Sequence, residues 1–157
     1  MRSTICWIAL GLWIVTIGVA GWFFVQGWTT PGTDGRTEII IAPAERALIL
    51  GEMRMLLKAV HSVVTGLAGQ DQEASRSQIE QAARTAGMGM AEDVNPALMA
   101  KLPLPFKQMG MSIHHDMDAL ADAIVNKETA PQILQRLSSM TARCTACHDM
   151  YRFSAER

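Results

Sequence analysis

Excess positive charge is missing from this chain of 157 residues: 14 Lys and Arg stand against 15 Asp and Glu, a formal net charge of −1. A surface that grips a phosphate backbone needs a basic surplus, so nucleic acid is excluded as a partner. Cysteine is scarce as well, with three in the whole chain. No second CxxC and no His-x3-His cluster appears, so a four-ligand zinc finger pattern is incomplete. The βαβ pattern that would carry a thioredoxin-like dithiol is absent, as are internal repeats and low-complexity tracts. There is no nucleophile elbow, phosphate loop or acid–base carboxylate pair, and Asp116, Asp118 and Asp122 read as the solvated side of a helix. The residues offer no catalytic constellation, and the expectation is a protein that is not an enzyme.

What the chain does have begins with an uncharged apolar run over residues 5–25. At about 1.5 Å per residue a helix of that length matches the roughly 30 Å hydrocarbon core of a bilayer. All four tryptophans lie in or just after the run, with Trp7 near one end and Trp22 and Trp28 near the other, where aromatic rings meet the headgroups. A cleaved signal would have a shorter apolar stretch, and the small-residue site Gly18-Val19-Ala20 is followed by more apolar residues, so residues 1–28 are expected to be an uncleaved anchor. Arg2 places the N-terminus in the cytoplasm by the positive-inside rule and the rest of the chain outside. Cys6, inside this run, is a small apolar residue with no assigned role. Residues 29–42 are turn-rich at first (Pro31-Gly32-Thr33-Asp34-Gly35) and read as a flexible linker. Residues 43–157 are enough for one domain.

Apolar residues in that domain step by three and four. Leu50, Met53, Leu57, Val60, Val64 and Leu67 mark a first helix over 44–68. Ser75-x-x-Gln78 caps a second, with Ile79, Ala82, Ala83 and Ala86 on its inner face and Gly87 as its stop. Residues 88–105, with three prolines, should be a loop holding at most one helical turn at 96–101. Phe106, Met109, Ile113, Met117, Leu120 and Ile124 mark a third helix. Thr129-x-x-Gln132 caps a fourth, whose seam runs Ile133, Leu137, Met140, Cys144, Cys147, Tyr151. The fold class is all-α, an antiparallel four-helix bundle behind one transmembrane helix.

The chemistry sits at the end of the fourth helix. Cys144-Thr145-Ala146-Cys147-His148 is a CxxCH run, the pattern for covalent haem c attachment: two thiols three residues apart share a helix face, and the adjacent imidazole can reach the iron. A redox dithiol or a zinc site using His114 or His115 are the competing readings. Attachment of this kind is expected on the outer side of a bacterial inner membrane, which agrees with a single-pass anchor and a periplasmic domain. His61, His114 and His115 lie off their helices' apolar stripes and read as solvated or hydrogen-bonded rim residues, although each offers an imidazole to a metal.

The segment Arg143-Cys-Thr-Ala-Cys-His-Asp-Met-Tyr-Arg152, closing the last of four helices, resembles the C-terminal motif of the cytochrome c prime family, with Lys101-Leu-Pro103 before the third helix as further support. The likeness spans about 43–153. It implies one haem c inside one end of the bundle, bound by Cys144, Cys147 and His148. It also implies a residue of the first helix facing the iron from the other side, and the position that matches is Met53, within Glu52-Met53-Arg54. This is similar to low-spin members, in which a thioether is the sixth ligand; an ordinary core methionine would occupy the same seam position. Arg152, four residues after His148, would share its helix face and screen the ligand or a propionate. The function implied is one-electron transfer to redox partner proteins in or at the membrane. The alternative is an open or displaceable distal site that binds nitric oxide or carbon monoxide. A homodimer through the first and second helices is a family trait that the alanine-lined second helix permits.

Overall fold

The computed structural model describes residues 2–69, 72–91 and 95–154, without the side chains of residues 2, 3 and 72–74. The side chain of Arg2, on which the orientation argument rests, and the last three residues of the expected domain therefore lie outside the described residues. The protein is mostly helical, with one apolar helix at its N-terminus. That helix, α1 (Arg2–Gln26), contains a 23-residue stretch long and apolar enough to cross a membrane.

The segment read as a flexible linker is folded. Strands β1 (Thr29–Pro31) and β2 (Thr37–Ile39) pair antiparallel, and the turn residues between them close a hairpin. Gly35 takes φ +84, which a side chain would oppose, and the Gly32 amide donates to the carbonyl of Arg36 at 2.8 Å. Turn chemistry was correctly legible there, but it serves a hairpin and not a tether. The reason is tertiary: β2 also pairs in parallel with β3 (Tyr151–Phe153) at the far end of the chain, and its Ile39 is fully buried in an apolar cluster.

Helix α2 (Pro43–Ala68) opens with proline at its first turn, and Glu45 accepts from the Ala42 amide at 2.8 Å. Helix α3 (Gln72–Thr85) starts ahead of Ser75, so that serine lies within the helix and does not cap it. Two short helices, α4 (Met88–Ala91) and α5 (Pro96–Lys101), occupy the expected loop, one more than foreseen. Helix α6 (Leu104–Val125) follows. In helix α7 (Ala130–Met150) the expected capping box is present: the Thr129 amide and hydroxyl both donate to Gln132 Oε1, at 2.8 and 2.7 Å.

Helix α2 packs on α3, α3 on α6, α6 on α7, and α7 returns to α2. One apolar cluster fills the middle, including Val63, Ile79, Ala83, Met117, Leu120, Ile124, Ile133 and Met140. A second, built from Ile39, Ile41, Ile49, Leu98, Leu102 and Phe106, lies at the end where the sheet sits. The seams of α6 and α7 face inward as their periods require, buried from Ile113 to Ile124 and from Ile133 to Met140 and half-buried at Met109, Cys144 and Cys147. That of α2 is rotated: Ile49, Ala59 and Val63 face inward, whereas Leu57 is 68% and Val64 42% exposed. Apolar residues cover most of this helix, so two stripes of helical period can be drawn along it, and the neighbours choose between them.

Candidate functional site

The last two turns of α7 lie where the two apolar clusters meet. Cys144 packs against the central one and Cys147 against the end cluster, beside Tyr151 and Phe153. Both thiols are half-buried. Burial pushes Cys147 up to about 11, with Cys144 adding to the effect, and raises Cys144 as well. A thiol so held is a poor thiolate, which opposes use as a nucleophilic dithiol. The helix stops at Met150, its cap amide at Tyr151 donating to the Cys147 carbonyl.

Cys144, Cys147 and His148 open onto a cavity of about 140 Å³. The opposite walls come from Ile49, Met53 and Leu56 of α2, Leu98 of α5, and Phe106 and Ile113 of α6. Met53 thus reaches the motif from a helix about ninety positions earlier in the chain. It also joins Cys147 and His148 in an adjoining hollow with Leu50, Tyr151, Arg36, Arg46 and Arg152. Another hollow among the described residues is a groove between α6 and α7, lined by polar groups such as Glu128, Gln132 and Arg136 together with Leu120 and Leu137.

Arg152 departs from the expected placement. It stands in β3 and not on the helix of His148, because α7 has ended two residues before it. Its guanidinium binds Glu38 at 3.0 Å and Asp34 at 3.4 Å, while its Nε is buried without a partner. Arg46 was overlooked in the sequence. Its Nε is also buried and unpartnered, and it lines the adjoining hollow next to Met53 and His148. An exposed-looking arginine in the first turn of a helix carries no sequence signal for such a place.

His114 departs too. His61 and His115 are exposed as expected, but His114 is buried and lines the main cavity. Its Nδ1 is 2.9 Å from the carbonyl of Ala86; since a carbonyl only accepts, Nδ1 carries a proton and donates there. The turn after α3 covers this position, which a period count along α6 cannot show. Glu52, half-buried on the same cavity, is raised by loss of solvent, partly offset by the charge of His114. Lys107 is buried and has no carboxylate paired with it among the described residues; its ammonium donates to the carbonyls of Met99 and Phe24, both at 3.2 Å, and burial lowers its pKa.

Among the described residues no three or more His, Cys, Asp or Glu side chains gather as a metal-ion site. The residues present do fit haem c. Two thiols at helical spacing and an imidazole edge a mostly apolar cavity, a thioether lies on its wall, and the unpartnered Nε atoms of Arg46 and Arg152 lie at the adjoining hollow, where acid groups would be met. Comparison with protein-family models, curated proteins and solved structures returned no match.

Proposed function

We propose that the protein is a membrane-anchored c-type cytochrome that carries single electrons on the periplasmic face of a bacterial inner membrane, with α2, α3, α6 and α7 as an antiparallel four-helix bundle of the cytochrome c prime kind. One observation carries the reading: Cys144, Cys147, His148 and Met53, from two helices far apart in sequence, line one cavity. When bound, haem c supplies an iron that cycles between ferric and ferrous states. Cys144 and Cys147 would hold the group through thioether bonds, and His148 would bind its iron through the imidazole. Met53 would offer a soft sulfur, which favours the reduced metal and raises its potential. Leu56, Leu98, Phe106 and Ile113 keep water from the cavity, and low polarity there limits the reorganisation that a change of charge demands. Arg46 and Arg152 would meet the acidic edge of the cofactor. Nothing in this scheme calls for bond-making on a substrate, so the protein acts as a carrier and not an enzyme.

The test is an intact mass and an optical spectrum of the protein made alongside a haem-attachment pathway. A covalent mass increase, low-spin ferrous bands and a weak sulfur-to-iron band in the far red are the expected results. A high-spin ferrous spectrum that shifts at once with carbon monoxide would move the function to gas binding, and a colourless chain of bare polypeptide mass would end the haem reading.

A further inference from the structure

The end of the membrane-type helix is built into the domain. Gly27, with φ +63, follows α1 directly, and a β-carbon there would come within 2.5 Å of both the Lys101 carbonyl oxygen and the Pro103 nitrogen, backbone atoms that cannot swing away. The Trp28 amide donates to the Lys101 carbonyl at 2.7 Å, and the Trp28 carbonyl accepts from Ile40 at 2.8 Å. Lys101 lies over the Trp28 ring, 5.4 Å from its centre, and binds Glu45 at 2.6 Å. Lys107 completes the joint. Its buried ammonium sits 3.9 Å from the centre of the Phe24 ring and donates to the Phe24 carbonyl, one of the last carbonyls of α1, where the helix dipole favours a cation.

Charge is distributed to match. From residue 95 to residue 115 the chain has no Asp or Glu, and the exposed side chains at this corner include Pro96, Ala97, Ala100, Pro105 and Gln108. Asp116, Asp118 and Asp122 all lie further along α6, away from α1. A lipid surface, which repels carboxylates, would select this arrangement.

We propose that the α5–α6 corner rests on the phospholipid headgroup layer, with α1 as a fixed mount. The span ends at Gln26 and the acid-free corner is joined to it through Gly27 and Trp28, so continuity with α1 names the lipid surface as the occupant. Helix α5 is then the shared wall: its Lys101 carbonyl holds Trp28, and its Leu98 lines the cavity of Cys144, Cys147 and His148. One consequence rests on the anchored-cytochrome reading above. With α5 alone between the cavity and the headgroups, the electron partner would be embedded in the same membrane.

A benzophenone photoprobe in place of Ala97, Gln108 or Gln135 tests this in the full chain, reconstituted in vesicles of phosphatidylethanolamine and phosphatidylglycerol. Intact mass first reads whether α1 is retained and whether haem is attached. Severalfold more lipid adduct at 97 and 108 than at 135 is expected, whatever the haem content. Gly27→Val should bring the first two down to the level of the third, and Lys107→Met should lower them with less disturbance to the backbone. Equal adduct at all three positions overturns the proposal, as does chain-to-chain crosslinking at 97 or 108, which would make the corner a contact between copies. Loss of α1 from the mature chain overturns both the docking and the anchor, whereas missing haem with the lipid pattern intact would leave the docking standing and sink only the cytochrome reading.

Discussion

The Arg36 guanidinium donates to the backbone carbonyl of His148 at 3.2 Å, joining the hairpin behind α1 to the residue that closes the CxxCH run. That carbonyl is among the last four of α7 and has no partner within the helix, so a cation there both satisfies it and suits the helix terminus. Arg36 is itself held by Asp34, at 2.6 and 2.9 Å. The hairpin and the motif therefore respond together.

Replacing Arg36 by Gln should loosen the pairing of β2 with β3. Amide exchange at Ser154, whose N–H donates to the Ile39 carbonyl at 3.0 Å just after β3, is expected to speed up, while the amides of α6 around Met117 keep their protection. Unchanged exchange at Ser154 would show that the strand pairing stands without the arginine.

Acid should act on the same hairpin. The Asp34 carboxyl is lowered from 3.8 to about 2, first by the side-chain hydrogen bond from Arg36. A carboxylate with a depressed folded-state pKa stabilises above its unfolded value and loses that contribution as pH falls through the folded one. Hairpin exchange, after correction for the intrinsic pH dependence, should be flat from pH 8 to 5 and should rise between about 4 and about 2. In Asp34→Asn that rise should shrink.

Met53→Ala should remove the far-red sulfur band and turn the ferrous spectrum from low-spin to high-spin, with rapid carbon monoxide binding. An unchanged spectrum would remove Met53 from the coordination sphere. A low-spin spectrum lacking the sulfur band would transfer the position to His114, whose Nδ1 is already engaged by Ala86 in the way that second-shell carbonyls orient metal-binding histidines; Met53→Ala with His114→Leu would then become high-spin.

Burial separates two residues of equal standing in a period count, Met117 of α6 and Leu57 on the outward side of α2. Met117→Ala removes a fully buried side chain from the central cluster and should cost about 2–5 kcal/mol in urea unfolding. Leu57→Ala, at a position 68% exposed, should cost no more than about 0.5 kcal/mol. Comparable losses would place Leu57 in the core after all.

Much of this architecture is written locally. Periods of three and four located α6 and α7 closely, Thr129 and Gln132 marked where α7 begins, and the uncharged run marked α1. Such signals are readable because a helix repeats every 3.6 residues and orphan amides recur at every start. Short helices were harder: α4 has four residues, less than the two turns that a period needs to declare itself.

The spacing of Cys144, Cys147 and His148, and the length of the apolar span, were settled by the order of residues along the chain, since each depends on neighbours within a few turns of one helix. The pairing of Thr37 with Tyr151, the burial of His114 under Ala86, the choice of inward stripe on α2 and the joint at Gly27 came from packing. Each of these sets residues tens of positions apart against one another. Their partners are chosen by the shape and hydrogen-bonding demands of surfaces that exist only once the helices have come together.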